Sequence, residues 1–82
     1  MTRLQEILET YPAEEFIKAD GFDDAVIGVE ANSLRLVYCI EMAIDILIEE
    51  GMTEEDAIEH LFYNTIGSYV GEKTPIWINM IA

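Results

Sequence analysis

Cys39 and His60 carry the two side chains most often used in nucleophilic and acid–base chemistry. A catalytic thiol needs a base beside it and donors that stabilise the oxyanion. The sequence supplies no such donors and does not bring the two residues together, so we expect Cys39 to be a small buried hydrophobic residue. Asp56 lies four residues before His60, and we expect His60 to pair with a nearby acid. A metal site would need more ligand residues to converge on such a pair, and the sequence shows none, so no metal site and no enzyme is predicted.

Two further segments could bind ions or phosphate. Asp20, Asp23 and Asp24 surround Gly21, but Phe22 occupies a position where a calcium loop needs an oxygen ligand. We therefore expect these to be solvated turn carboxylates. The segment 71–75, Gly-Glu-Lys-Thr-Pro, lacks the glycine spacing of a phosphate loop and is expected to be a turn. No cofactor is predicted.

Polar and aromatic residues in the second half of the chain could line a small-molecule pocket, especially at an oligomer interface. They are Arg35, Asn64, Tyr69, Lys73, Thr74 and Trp77. A phosphorylated ligand would require Arg35 and Lys73 to converge, because the rest of the chain is strongly acidic. Ordinary capping and turn chemistry is the alternative, and we favour it.

The net charge is the most distinctive property of the sequence. Seventeen acids and four cations give the 82 residues a formal charge of −13, while 51% of the residues are hydrophobic. Such a surface disfavours nucleic acid and anionic membranes and favours basic protein partners. Six acids fall within eleven residues that contain no cation, which predicts an acidic, partner-binding face: Glu49, Glu50, Glu54, Glu55, Asp56 and Glu59.

Length and composition predict a single domain over residues 1–82. Cys39 is the only cysteine, so no intrachain disulfide is possible. We find no apolar run long enough for a signal peptide or a membrane span, and expect a cytoplasmic protein. The high hydrophobic share of so small a chain predicts exposed apolar clusters and a homo-oligomer.

The periodicity predicts a small α+β domain in the order helix, helix, strand, strand, helix, helix, strand. A capping box at Thr2 and Gln5 begins the first helix, and Pro12 begins a second. A hairpin follows over 25–30 and 34–38, then helices over 39–50 and from Thr53, and a last strand over 75–81. Gly28 in mid-strand suggests either a bulge or a close approach by another element.

The two main helices have different patterns. The helix over 39–50 is apolar except for an acidic stripe at Glu41, Asp45 and Glu49, which predicts burial on several sides. The helix that begins at Thr53 carries an apolar stripe expected to face inward: Ala57, Ile58, Leu61, Phe62, Thr65, Ile66 and Tyr69.

Four stretches are similar to a known group of proteins: residues 21–28, 35–38, 51–57 and 71–75. Together they resemble small, uncharacterised acidic proteins encoded by phages and prophages, over about residues 20–78. The resemblance implies a phage-associated context in a host cell and transfers no catalytic residue.

Two functional hypotheses follow. The first is a protein-binding module, without enzymatic activity, that occludes a basic surface of a host nucleic-acid-handling or defence protein. The second is a non-enzymatic protein that binds or sequesters a small, nucleotide-type ligand as an oligomer.

Overall fold

The computed structural model describes residues 2–80, which form an α+β domain with three α-helices and a three-stranded mixed sheet. The elements are α1 (Arg3–Thr10), β1 (Val26–Val29), β2 (Leu36–Cys39), α2 (Ile40–Glu49), α3 (Glu54–Leu61) and β3 (Ile76–Ile78). A 3-10 turn (Asp23–Ala25) precedes β1, and a π-helical turn (Phe62–Ile66) continues α3. The predicted fold class is confirmed. No helix within residues 2–80 has the length and apolarity needed to cross a bilayer.

The first helix begins as predicted. The Thr2 hydroxyl accepts the Gln5 N–H at 3.2 Å, and the Gln5 side-chain oxygen accepts the Thr2 N–H at 3.0 Å. The second short helix, predicted from Pro12, is wrong, because residues 14–19 contain no helix. At the end of this segment the Ala19 N–H instead donates to the Tyr38 hydroxyl at 2.8 Å. A contact with a residue far along the chain thus replaces the local helical bonds.

The hairpin has the predicted bulge. Val26 is opposite Tyr38 and Gly28 is opposite Val37, so Ile27 is the extra residue in β1. The turn that joins the strands is held by the Glu30 carboxylate, which accepts the backbone N–H groups of residues 32 and 33.

The last strand completes the sheet. β3 pairs with β2 in parallel, with Trp77 opposite Tyr38, so the sheet order is β1-β2-β3. The prediction extended this strand to residue 81, which lies outside the described residues; the strand ends at Ile78. The Trp77 and Tyr38 rings stack with centroids 4.7 Å apart, which anchors β3 to the core.

The core lies between the sheet and the helices. Its buried residues come from every main element except β3: Leu4, Ile7, Phe22, Ala25, Val26, Leu36, Tyr38, Ile40, Ala43, Leu47, Ala57 and Leu61. The predicted inward stripe is correct at Ala57 and Leu61 but wrong at Ile58, Phe62 and Tyr69, which are exposed. The π-helical turn begins at Phe62 and uses more residues per turn than an α-helix, so α-helical spacing no longer predicts the buried face beyond Leu61. Ile58 precedes this turn and flanks the buried stripe of Ala57 and Leu61 on α3.

Candidate functional site

An open depression lined by carboxylates lies between the 3-10 turn and α2. One part, of about 470 Å³, lies among Gly21, Asp23, Asp24, Ile46, Glu49 and Glu50. A second part, of about 270 Å³, shares three of these residues and adds Met42 and Asp45. We define the acidic groove by its five carboxylates: Asp23, Asp24, Asp45, Glu49 and Glu50.

Burial of the neighbouring residues fixes the two walls of the groove. In the 3-10 turn, Phe22 and Ala25 are buried, and the Ala25 N–H donates to the Phe22 carbonyl at 2.9 Å. Asp23 and Asp24 lie between these two anchors and are exposed. The first wall is therefore a short, well-anchored turn that presents two carboxylates.

The second wall is one face of α2. Ala43 and Leu47 are buried and set the orientation of the helix. A neighbouring stripe has the spacing i, i+3, i+4 and i+7 and lines the groove: Met42, Asp45, Ile46 and Glu49. The groove wall therefore alternates apolar and acidic side chains.

The groove continues into a less acidic region. A depression of about 540 Å³ is lined by Thr2, Arg3, Glu6, Asp23, Asp24, Val26, Ile27, Met42 and Met80. It shares Asp23 and Asp24 with the acidic groove. Met42 and Met80 are 42% and 57% exposed. We call Met42, Ile46 and Met80 the methionine floor.

The cations of the chain leave the acidic groove uncompensated. Arg3 pairs with Glu6 at 3.9 Å, and Lys73 pairs with Glu14 at 3.1 Å. Within residues 2–80, no ion pair involves a carboxylate of the groove. These carboxylates also do not converge: the described residues hold no group of three or more His, Cys, Asp or Glu side chains that could bind a metal ion. Such spread negative charge suits a large partner with several cations.

The predicted acidic face is only partly the same surface. Glu49 and Glu50 line the groove. The other four predicted residues are exposed on α3 and do not line it: Glu54, Glu55, Asp56 and Glu59. Sequence reasoning assigned Asp23 and Asp24 to a solvated turn, because no local pattern reveals that this turn packs beside α2.

The predicted small-molecule corner is divided in the structure. Asn64 and Trp77 line a cavity of about 240 Å³. The other walls of this cavity are formed by Ile17, Lys18, Ala19, Asp20, Phe22, Thr65, Ser68, Val70 and Pro75. Tyr69 is 78% exposed and does not line it. Arg35, Lys73 and Thr74 do not line it either.

Arg35 and Lys73 instead bind the backbone. Arg35 Nε donates to the Thr74 carbonyl at 2.5 Å. Lys73 Nζ donates to the carbonyls of Ser33 and Leu34 at 3.2 and 3.0 Å. The two cations tie the turn before β3 to the hairpin, so the convergent phosphate anchor required by the nucleotide hypothesis is not formed by them.

The two chemically reactive residues occupy structural positions. Cys39 is buried, as predicted, and its thiol donates to Glu41 Oε1 at 3.5 Å. His60 is exposed, but its Nδ1 lies 3.4 Å from Asn64 Nδ2. The expected pairing of His60 with an acid is wrong, because the amide one turn later on the helix takes that position.

Comparison of the chain with protein families, with curated proteins and with solved structures finds no match. The resemblance to phage proteins therefore stays a prediction, and the function must be argued from the geometry alone.

A hydrogen bond from Met80, one residue of the methionine floor, to the Glu41 carboxylate should depend on pH. The Met80 N–H donates to Glu41 Oε1 at 2.7 Å and lowers the pKa of Glu41 below its ordinary value of 4.5. Because the folded-state pKa is the lower one, this bond stabilises the fold above about pH 4.5 and is lost as the pH falls through the folded-state pKa. In an NMR titration we expect the Met80 amide shift to follow a midpoint below 4.5. The step should vanish in Glu41→Gln, and a midpoint at or above 4.5 in the wild type would contradict the bond.

Proposed function

We propose that this chain is a protein-binding module without enzymatic activity. Its acidic groove binds a basic surface of a nucleic-acid-handling protein and so blocks that surface. The observation that carries the proposal is the groove itself, in which five carboxylates line one depression and none takes part in an ion pair within residues 2–80. The resemblance to phage proteins suggests that the partner is a defence protein of the host cell and that binding takes place in the host cytoplasm.

The physical basis is electrostatic complementarity. A protein that binds nucleic acid presents clustered Lys and Arg side chains to a row of phosphates. A groove with spread carboxylates offers those cations an alternative set of anions, and the charge of −13 steers the encounter. A nucleic-acid ligand carries negative charge like the groove and would be repelled by it, so direct nucleic-acid binding is not proposed.

The nucleotide hypothesis has less support. Arg35 and Lys73, its expected phosphate anchors, donate to backbone carbonyls. The cavity at Asn64 and Trp77 retains Lys18 as its only cation, with Asp20 in the same lining. Self-association stays a prediction, which the mass of the protein in solution tests.

A displacement experiment tests the proposal. Proteins are captured from a host-cell extract on the immobilised wild type and, in parallel, on the variant Asp24→Lys/Glu49→Lys. Each protein that is captured only by the wild type is purified, and its complex with a fluorescent DNA duplex is titrated with the wild-type chain. We expect the chain to displace the duplex, with weaker displacement at higher salt because the contacts are ionic. Identical captured sets for both proteins, or capture without displacement, would refute the proposal.

A further inference from the structure

The groove combines negative charge with exposed apolar side chains. A purely electrostatic surface would not need the apolar side chains. The groove carboxylates lie beside Met42, and Met80 lines the depression that continues from the groove; both methionines are among the exposed large hydrophobic residues of the described chain. Ile46, partly buried against the core, lines both parts of the acidic groove. Methionine is flexible and polarisable, and it adapts to apolar partners of different shape.

The order of apolar and acidic side chains along α2 indicates which kind of partner segment would fit the groove. Met42 and Ile46 are one turn apart and form an apolar ridge, and Asp45 and Glu49 form an acidic ridge beside it. Asp23 and Asp24 lie on the opposite wall. The groove therefore combines apolar side chains on α2 with carboxylates on both walls, which is the complement of an amphipathic helix with a narrow apolar face and basic flanks.

We infer that the part of the partner seated in the groove is a basic amphipathic helix, whose apolar face packs on the methionine floor and whose Lys and Arg side chains reach the carboxylates on both borders. This inference rests on the proposed function and names the binding element of the partner. The stripe from Met42 to Glu49 spans about 10 Å, so it is long enough to contact about two turns of the partner's helix. Helix-in-groove recognition uses anchors at the same i, i+3, i+4 and i+7 spacing.

A second copy of this chain does not suit the groove. Each copy carries the charge of −13, with only four cations among its residues. Of these, Arg3 and Lys73 are already paired with acids, and Arg35 is bound to the backbone. A basic partner supplies cations that pair with the groove carboxylates, whereas a second copy of this chain would bring more negative charge and repel them.

Methionine-methyl NMR tests this inference directly. The chain is labelled with 13C at the methionine methyl groups, and the resonances are assigned by single Met→Leu substitutions. Met52, which packs against the core outside the groove, serves as an internal control. The probes are two Leu/Lys peptides of about 15 residues, long enough to form a helix. One has leucines at helical spacing and the other has the same composition in a scrambled, non-amphipathic order.

We expect the amphipathic peptide to bind at least about tenfold more tightly than the scrambled one and to shift the methyls of Met42 and Met80 but not Met52. Met42→Ser/Met80→Ser should remove this preference, whereas the comparably exposed Ile58→Ser on α3 should retain it. Equal affinities for the two peptides, with unmoved methyls, would overturn the helix inference while leaving an electrostatic groove intact. If neither peptide binds, or if binding is unchanged in Asp24→Lys/Glu49→Lys, the proposed function fails as well.

Discussion

Replacing Asp24 and Glu49 by lysine is expected to weaken binding of a basic partner by about a hundredfold at low salt. The two residues lie on opposite walls of the acidic groove, one in the 3-10 turn and one on α2. Each substitution removes an attraction and adds a repulsion at a position that faces the partner. Isothermal titration with a captured partner, or with the amphipathic peptide, measures the loss.

A charge-matched control separates the groove from the overall charge. Glu54→Lys/Glu55→Lys changes the net charge by the same amount on α3, outside the groove. Exposed charges away from a contact act mainly through long-range attraction, which salt screens within about 8 Å at physiological ionic strength. We expect the affinity of this variant for the partner to fall by less than about tenfold at ~150 mM salt. If the two double variants lose the same affinity, net charge and not the groove determines binding, and the site is wrongly placed.

The elements that the sequence predicted correctly depend on local interactions. The capping box at Thr2 and the helix start at Thr53 each involve residues three positions apart, and the bulge at Gly28 lies in a hairpin whose paired residues are 7 to 12 positions apart. Helix starts and strand bulges follow from such contacts, so their residue types are visible in the sequence. The acidic stripe of α2 was visible for the same reason, and two of its three residues, Asp45 and Glu49, line the groove, whereas Glu41 accepts the Met80 N–H.

The elements that the sequence missed depend on contacts between distant residues. The segment after Pro12 is not helical, and its Ala19 N–H reaches Tyr38, nineteen residues away. Lys73 binds carbonyls about forty residues earlier in the chain, which removed it from the predicted pocket. The second wall of the groove likewise comes from Asp23 and Asp24, more than twenty residues before Glu49. A pattern of residue types does not encode which surfaces meet, so the site could be predicted only on the α2 side.

Leu61→Ala is expected to destabilise the fold by about 2–5 kcal/mol. Leu61 is fully buried, with 0% exposure, and it ends α3 directly before the π-helical turn. Its removal leaves a cavity in the core, because the neighbouring side chains relax only partially. A domain of this size has a total free energy of unfolding of roughly 4–12 kcal/mol, so a large part of its stability would be lost. Urea denaturation followed by the fluorescence of Trp77, the single tryptophan, measures the change.

Ile58→Ala provides the matched control, since Ile58 lies on the same helix and is 39% exposed. Its substitution should cost less than about 1 kcal/mol, because less apolar surface is buried there and no closed cavity forms. If Leu61→Ala is already unfolded in water, Leu61→Val removes less volume and should keep the transition measurable. Equal losses at residues 58 and 61 would mean that the face of α3 assigned to the core is wrong. That result would also affect the groove, because α3 packs on α2, the helix that carries the groove wall.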